Sequence, residues 1–362
     1  MSATAPVASR AAEARAALDA HVREIVRWHF SAETGTPVWL EFAKTGGFDP
    51  LRDVRGFDDL VARFPNFDGE RLRRDAHELW IPRAFAGRPF TVFETGGTTD
   101  MPKQRIGWDD YKRDYESFSP TLPDASFPRG GYWLMVGPTG PRRLCLSIEH
   151  LANFRGSSCY FVDLDPRWVK KLIAGGDAEG ARAYMEHVVE QAVVLLKHRK
   201  VSVLFTTPKL LEALGEQVDL ADLGVKGVLC GGTEMAPQMV RFLVEEVLEQ
   251  RVAFVPVYGN TLMGLAACDP ASVAGAYSVT YHAPQPWAVL RVTDPLDSKR
   301  LVEPGARGRV ELTTLTKELF LPRFLERDDA IRCPPCAHFA WDGAGEVKPF
   351  QETGQRIIEG VY

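Results

Sequence analysis

The chain has 362 residues, 45% hydrophobic, 25% charged and 10% aromatic, with 31 Gly and 25 Pro. That length exceeds one comfortable core and predicts two or three substructures. Lys plus Arg number 43 against 48 Asp plus Glu, a formal charge of −5, and the only basic cluster, Arg71, Arg73 and Arg74, is small, which argues against a nucleic-acid partner. No apolar run approaches the roughly 18 residues that span a bilayer. The opening MSATAPVASRAAEAR has no apolar signal core. Six Cys in so long a chain do not make a disulfide scaffold, so a reduced, cytoplasmic setting is expected.

Residues 8–30 predict one amphipathic helix, with Leu18, Val22, Ile25 and Val26 at spacings of three and four. From Thr34 to Pro82 short helical patches alternate with Pro and Gly punctuation. Residues 184–197 predict a helix, VSVLF at 201–205 a strand, and KLLEALGEQ a further helix. VKGVL at 225–229, a GGTE loop, a helix from Pro237 to Gln250 and the run VAFVPV at 252–257 follow. Alternating strands and helices of this kind predict a parallel sheet with crossover helices. AVLRVTD at 288–294 and RVELTTLT at 309–316, flanking EPGARG, read as antiparallel strands. The fold class is therefore α/β with a small β-rich subdomain. Residues 1–90 form a helical lead-in and the start of the first subdomain, 91–276 the nucleotide- and substrate-binding core, and 277–362 the β-rich unit.

TGGTTDMPK at 95–103 gathers two Gly, three Thr and Lys103, the backbone N–H groups, hydroxyls and cation that cradle polyphosphate oxygens. It is not a Walker loop, and taken alone it serves equally as a surface turn. GGTE at 231–234 and YGNT at 258–261 each follow an apolar run, and ligands of open α/β sheets bind outside the carboxyl ends of strands. Tyr258 offers a flat face to a base. Tight turns needing Gly explain both segments equally well. RFLERDD at 323–329 supplies a carboxylate, Asp328, for ribose hydroxyls, although alone it reads as a charged loop.

The order of these segments resembles that of the adenylate-forming superfamily of acyl-CoA synthetases, adenylation domains and luciferases. The likeness is greatest to phenylacetate-CoA ligases, whose phosphate loop reads like SSGTTGKP and whose late segment reads like TTLTKEALPVIRYRTRD, beside TTLTKELFLPRFLERDD at 313–329 here. GGFDPLRDVRGFDDLVARFP is similar to the family's helical lead-in. The resemblance implies the family's N-terminal-domain fold, parallel sheets with packed helices. It also implies that ATP is held by Thr95, Gly96, Gly97, Thr98, Thr99 and Lys103 at the phosphates and by Gly232, Thr233, Glu234, Tyr258, Gly259 and Asn260 around the adenine. Thr261 would lie at the α-phosphate and Asp328 at the ribose, with Lys103 and Thr261 in catalytic roles. A carboxylic acid would attack the α-phosphorus, giving an acyl-adenylate and pyrophosphate, with Mg²⁺ neutralising much of the phosphate charge.

The pattern departs from the family in three places. Asp100 stands where the phosphate loop has Gly. Leu262 stands where YGxTE ends in a Glu associated with Mg²⁺, so Asp100 or Glu234 is expected to hold the metal. The chain ends at QRIIEGVY, near the family's hinge, so the mobile C-terminal domain with its catalytic Lys is expected to be absent. CoA ligation then becomes doubtful, and a carrier protein or partner chain would supply the missing function. The chain is similar in shape to the compact enzymes that adenylate aromatic acids in phenazine-antibiotic pathways. Alternatives are nitrite activation for diazotisation of an arylamine, or a non-catalytic nucleotide-binding relative. His150 falls near the family's substrate-side position, though a simply packed or exposed His is the commoner case. Tyr132, Trp133, Phe154 and Tyr160 either wall an acyl pocket or belong to the core. Cys333-Pro334-Pro335-Cys336 with His338 has metal-like spacing, but a structural zinc site needs four ligands, so two loop cysteines are the preferred reading.

Overall fold

The computed structural model describes residues 7–95, 101–232 and 234–350. Gly96, Gly97, Thr98, Thr99, Asp100 and Thr233, all expected to touch nucleotide, lie outside the described residues. The strands are β1 (Thr91–Glu94), β2 (Gln104–Gly107), β3 (Tyr132–Gly137), β4 (Cys159–Asp163), β5 (Val201–Thr206), β6 (Gly227–Gly231), β7 (Ala253–Asn260), β8 (Gly264–Cys268), β9 (Thr280–His282), β10 (Ala288–Thr293), β11 (Arg307–Leu315), β12 (Phe320–Cys333) and β13 (Gly343–Pro349). β1 and β2 form a two-stranded hairpin. The other 11 strands make one mixed sheet in the order β10-β11-β12-β13-β9-β8-β7-β6-β5-β3-β4.

The parallel half comprises β4, β3, β5, β6 and β7. Its strands are nearly continuous apolar runs because helices cover both faces. Leu134, Val136, Leu204 and Val228 face a layer that includes Ala178–His198 and Pro208–Gly215. Trp133, Met135, Val203 and Phe205 face Asp110–Phe118 and Arg143–Phe154. From β7 onward every pairing is antiparallel, and the two halves are continuous through the β7–β8 hairpin. The helix expected over 237–250 is regular over Pro237–Phe242 and then widens into a single π-type turn, Leu243–Val247.

Two local expectations are corrected. β7 runs through Asn260, so Tyr258 and Gly259 are strand residues paired with β8. RFLERDD is not a loop but part of β12, which carries register irregularities against β11 and β13.

The helix Val7–Phe30 buries Leu18, Val22, Ile25 and Val26. Its C-terminal end meets an aromatic cluster in which Phe320 lies 5.1 Å from Trp39 and 5.4 Å from Phe64. Fully buried His29 joins this helix to the turn after β11. Its Nε2 donates to the Thr316 carbonyl at 2.7 Å and its Nδ1 accepts from the Thr36 hydroxyl at 2.6 Å, an arrangement satisfied by the neutral ring. Burial lowers the His29 pKa from 6.5 to about 4. The unfolded chain therefore binds this proton more readily than the folded one, and the stabilisation present above pH 6.5 is lost as pH falls toward 4. Urea unfolding should show that His29→Gln has a shallower loss of stability over this interval, the difference reaching up to about 3 kcal/mol. Parallel pH curves for the two proteins would rule His29 out as a contributor.

Candidate functional site

The site is built where β5, β6 and β7 end. Thr207 follows β5, Gly231 and Gly232 close β6, and β7 delivers Tyr258, Gly259 and Asn260. Asn260 shapes the turn beyond it. Its Oδ1 accepts the N–H groups of Leu262 (2.9 Å) and Met263 (2.8 Å), an Asx-type turn. Its Nδ2 donates to Glu326 Oε1 at 2.8 Å. Thr261 donates its hydroxyl to the Glu94 carbonyl at 2.8 Å, which fixes the turn against the end of β1.

Beneath the turn lies a buried charge network. Arg105 on β2 donates to the carbonyls of Thr261 (3.0 Å) and Leu262 (2.9 Å) and pairs with Asp110. Arg143 reaches Asp110 at 3.2 Å and Asp114 at 3.5 Å. Glu318 accepts the N–H groups of Trp108, Asp109 and Asp110 at 2.7–3.0 Å, capping the helix that carries Asp110 and Asp114. Two guanidinium groups thus face three carboxylates, and two of the three carboxyl groups hold their protons more tightly than usual. Burial and Asp110 push Glu318 up to about 7, and burial pushes Asp114 up to about 6. Gly264 is required here: its φ is +97°, and a Cβ would lie 2.3 Å from Asp114 Oδ2.

On the β12 side, Tyr258 donates its hydroxyl to Asp328 Oδ2 at 2.6 Å, and its ring lies 5.5 Å from that of Tyr281. Burial raises the pKa of Asp328, while the Tyr258 hydrogen bond opposes the rise. Glu326, two residues earlier on the strand, is pushed up to about 7 by burial and by Asp328, with Lys103 acting against both. The Lys103 ammonium sits 4.5 Å from the centroid of the Phe324 ring, and burial lowers its pKa. Thr95 and Lys103 close the base of the segment between them: Thr95 N–H donates to the Lys103 carbonyl at 3.0 Å, and Lys103 N–H to Thr95 Oγ1 at 3.2 Å.

A cavity of about 240 Å³ opens on the same rim. Tyr115, Leu144, Phe205, Val257 and Leu265 give it apolar walls, while Thr95, Thr207, Asn260 and Thr261 are among its polar groups. Thr207 is 2% exposed and its hydroxyl has no hydrogen-bond partner. A larger cleft of about 720 Å³ lies between the first helix and the antiparallel strands, and it touches none of the motif residues.

Lys103, Thr95, Asn260, Thr261, Tyr258 and Asp328 therefore come together, as their order in the chain implies. Gly232 and Glu234 are exposed at the end of β6. His150 is not on the cavity wall. It lies one turn beyond Ser147, about 4.5 Å along the helix axis, and its Nε2 lies 2.8 Å from Glu116. Trp133 is core, and Tyr132 and Phe154 are exposed, while Tyr160 lies against the Tyr132 ring. The aromatic walls come instead from Tyr115 and Phe205. Leu262 is 2% exposed in the aromatic-rich core, so the position has no carboxylate and no access to solvent. Sequence reasoning missed Arg105, Glu326 and Thr207. Glu326 stood within a quoted motif, and its spacing of two from Asp328, which puts both on one face of a strand, was the available signal.

No protein-family model matches the chain, and no curated protein matches it in sequence. Solved structures do match. A 2-hydroxyisobutyryl-CoA ligase solved with 2-HIB-AMP and CoA aligns with a TM-score of 0.69 at 14% identity, covering 94% of this chain and 69% of that one. The same ligase in an open conformation aligns at 0.65 and 16% identity, covering 92% and 74%. Apo MbtA from Mycobacterium smegmatis aligns at 0.51 and 15%, covering 72% and 46%. The fold is that of the N-terminal domain of adenylate-forming enzymes.

Removing one partner of the buried network leaves Asp110 short of compensating charge. Arg105→Ala should lower unfolding free energy by about 3–5 kcal/mol, measured by urea denaturation. A loss below about 1 kcal/mol, the scale of an exposed pair, would show that the network does not hold the turn.

Proposed function

We propose that this protein uses ATP and Mg²⁺ to adenylate an aromatic carboxylic acid, releasing pyrophosphate, in a phenazine-type antibiotic pathway. The observation that carries this reading is the convergence on one rim of three differently suited surfaces. Tyr258 and Asp328 suit a nucleoside, Thr95 and Lys103 flank a Gly/Thr segment suited to phosphates, and an apolar cavity opens beside Thr261.

In this arrangement Tyr258 lies against the adenine, and Asp328 exchanges the Tyr258 hydroxyl for the ribose hydroxyls. Gly96, Gly97, Thr98, Thr99 and Lys103 meet the phosphates, with Gly232, Thr233 and Glu234 along the nucleotide edge. The acid rests in the cavity with its carboxylate toward Thr261. A carboxylate oxygen bonds to the α-phosphorus as the bond to the bridging oxygen of pyrophosphate breaks. The chain's contribution is alignment and charge placement. Glu234 and Glu326 are hard oxygen donors of the kind Mg²⁺ takes, with Asp100 as the third carboxylate. The metal bound with ATP supplies neutralisation of phosphate charge.

Cavity size narrows the acid. A buried apolar cavity of about 150 Å³ holds benzene, so about 240 Å³ suits one substituted ring. The unpartnered Thr207 hydroxyl favours a ring substituent that hydrogen-bonds, since a buried hydroxyl left alone costs about 1–3 kcal/mol. The acyl group's acceptor would be reached with a carrier protein or partner chain.

Pyrophosphate release with ATP, Mg²⁺ and a panel of acids, followed by mass spectrometry for acyl-AMP, tests the reading. Single-ring acids should support release and tricyclic acids should not. Asp328→Ala should weaken ATP binding by about 1.5–3 kcal/mol through loss of charge-assisted hydrogen bonds. Lys103→Ala should slow turnover while leaving adenosine affinity in place. Unchanged ATP affinity in Asp328→Ala would remove the ribose assignment. ATP binding with no acid-dependent release would favour nitrite activation or a non-catalytic role.

A further inference from the structure

We infer that the chain carries a zinc site, separate from the nucleotide rim, formed by Asp269, Cys336 and His338 with solvent as the fourth ligand. One potential ligand atom from each of these residues lies within 4.8 Å of the other two. Ligands around tetrahedral zinc, bonded at about 2.0–2.3 Å, stand about 3.3–3.8 Å apart, so small side-chain rotations close the triangle. Asp269 is the residue after β8 and is held in place as the N-cap of Pro270–Ala276, where its Oδ1 accepts the Ala271 N–H at 3.1 Å. His338 Nδ1 lies 2.8 Å from the same oxygen.

Cys336 supplies the second, independent sign. The backbone N–H of Phe339 directs a hydrogen bond to its sulfur at 3.4 Å. An N–H group aimed at a sulfur from three residues on favours the thiolate, the form that binds metal. Metal ligation requires the thiolate and the neutral imidazole, so binding releases a proton and tightens as pH rises. Thiolate and imidazole ligands select zinc over Mg²⁺ or Ca²⁺.

The site joins the β12–β13 turn to the segment after β8, at the end of β8 opposite Gly264. His338 is exposed, which leaves the fourth position open to water.

The full chain, expressed with zinc and purified under reducing conditions, should carry one zinc per molecule by inductively coupled plasma mass spectrometry. Chelation should lower Tm by several degrees. In competition with a chromophoric chelator, Cys336→Ser and His338→Ala should each weaken zinc binding by more than the roughly 10–100-fold typical of losing an outer-shell partner. Asp269→Asn, which keeps the helix cap, should weaken it too, and Cys145→Ser should bind like the parent. Where a variant fails to fold, cobalt(II) loaded into the unmutated chain gives the same information through a sulfur-to-cobalt charge-transfer band. A zinc-free protein, zinc retained in both Cys336→Ser and His338→Ala, or cobalt binding without that band would overturn the site.

Discussion

Arg105 is the pivot of this structure. Almost fully buried, it pairs with Asp110 and also donates to the two carbonyls of the turn that follows β7. An unpaired guanidinium at that depth would be costly, so the fold surrounds it with Asp110, Arg143, Asp114 and Glu318 and their hydrogen bonds. Thr316 joins the same carboxylate, donating to Asp110 Oδ2 at 2.9 Å. One network thereby fixes the relative positions of β2, two helices, the β7–β8 turn and the β11–β12 turn. The placement of Thr261 at the cavity mouth is a consequence of that network rather than a property of the YGNT segment itself.

The β12 side of the rim is organised by opposing charges that have not fully neutralised one another. Burial raises the pKa of Glu326, Asp328 raises it further, and Lys103 acts to lower it. Lys103 in turn is stabilised by the Phe324 ring. The ionisation of Glu326 and that of Lys103 are therefore coupled. This arrangement places a carboxylate, Glu326, beside Lys103 and Asn260, whereas Leu262, at the position the family resemblance assigns to Glu, is packed into the core.

The sheet's change of direction also has a functional consequence. The parallel half ends its strands at one edge, and the β7–β8 hairpin turns the chain there into the antiparallel half. β12 thus returns to the carboxyl ends of β6 and β7 from the other side. Tyr258 and Asp328, 70 residues apart, meet because of that reversal.

Much of this architecture was legible in the sequence. The spacing of Leu18, Val22, Ile25 and Val26 specified the first helix, apolar runs specified β5, β6 and β7, and alternation around EPGARG specified the β10–β11 pair. These are local signals, set by backbone periodicity and turn chemistry within a few residues. The ordered motifs also marked Thr95, Lys103, Tyr258, Thr261 and Asp328 as one group. Tertiary structure alone decided what lies beneath and beside them. Arg105 meets residues 156 and 157 positions away, Glu318 caps a helix 208 positions earlier, and Thr207 gains its significance only from burial at a cavity wall. The His150 position follows the same rule, since one further helical turn separates the cavity from its rim. Periodicity determines which face of an element is buried, but charge compensation and cavity shape depend on which distant elements are brought together, and that is settled only when the sheet assembles.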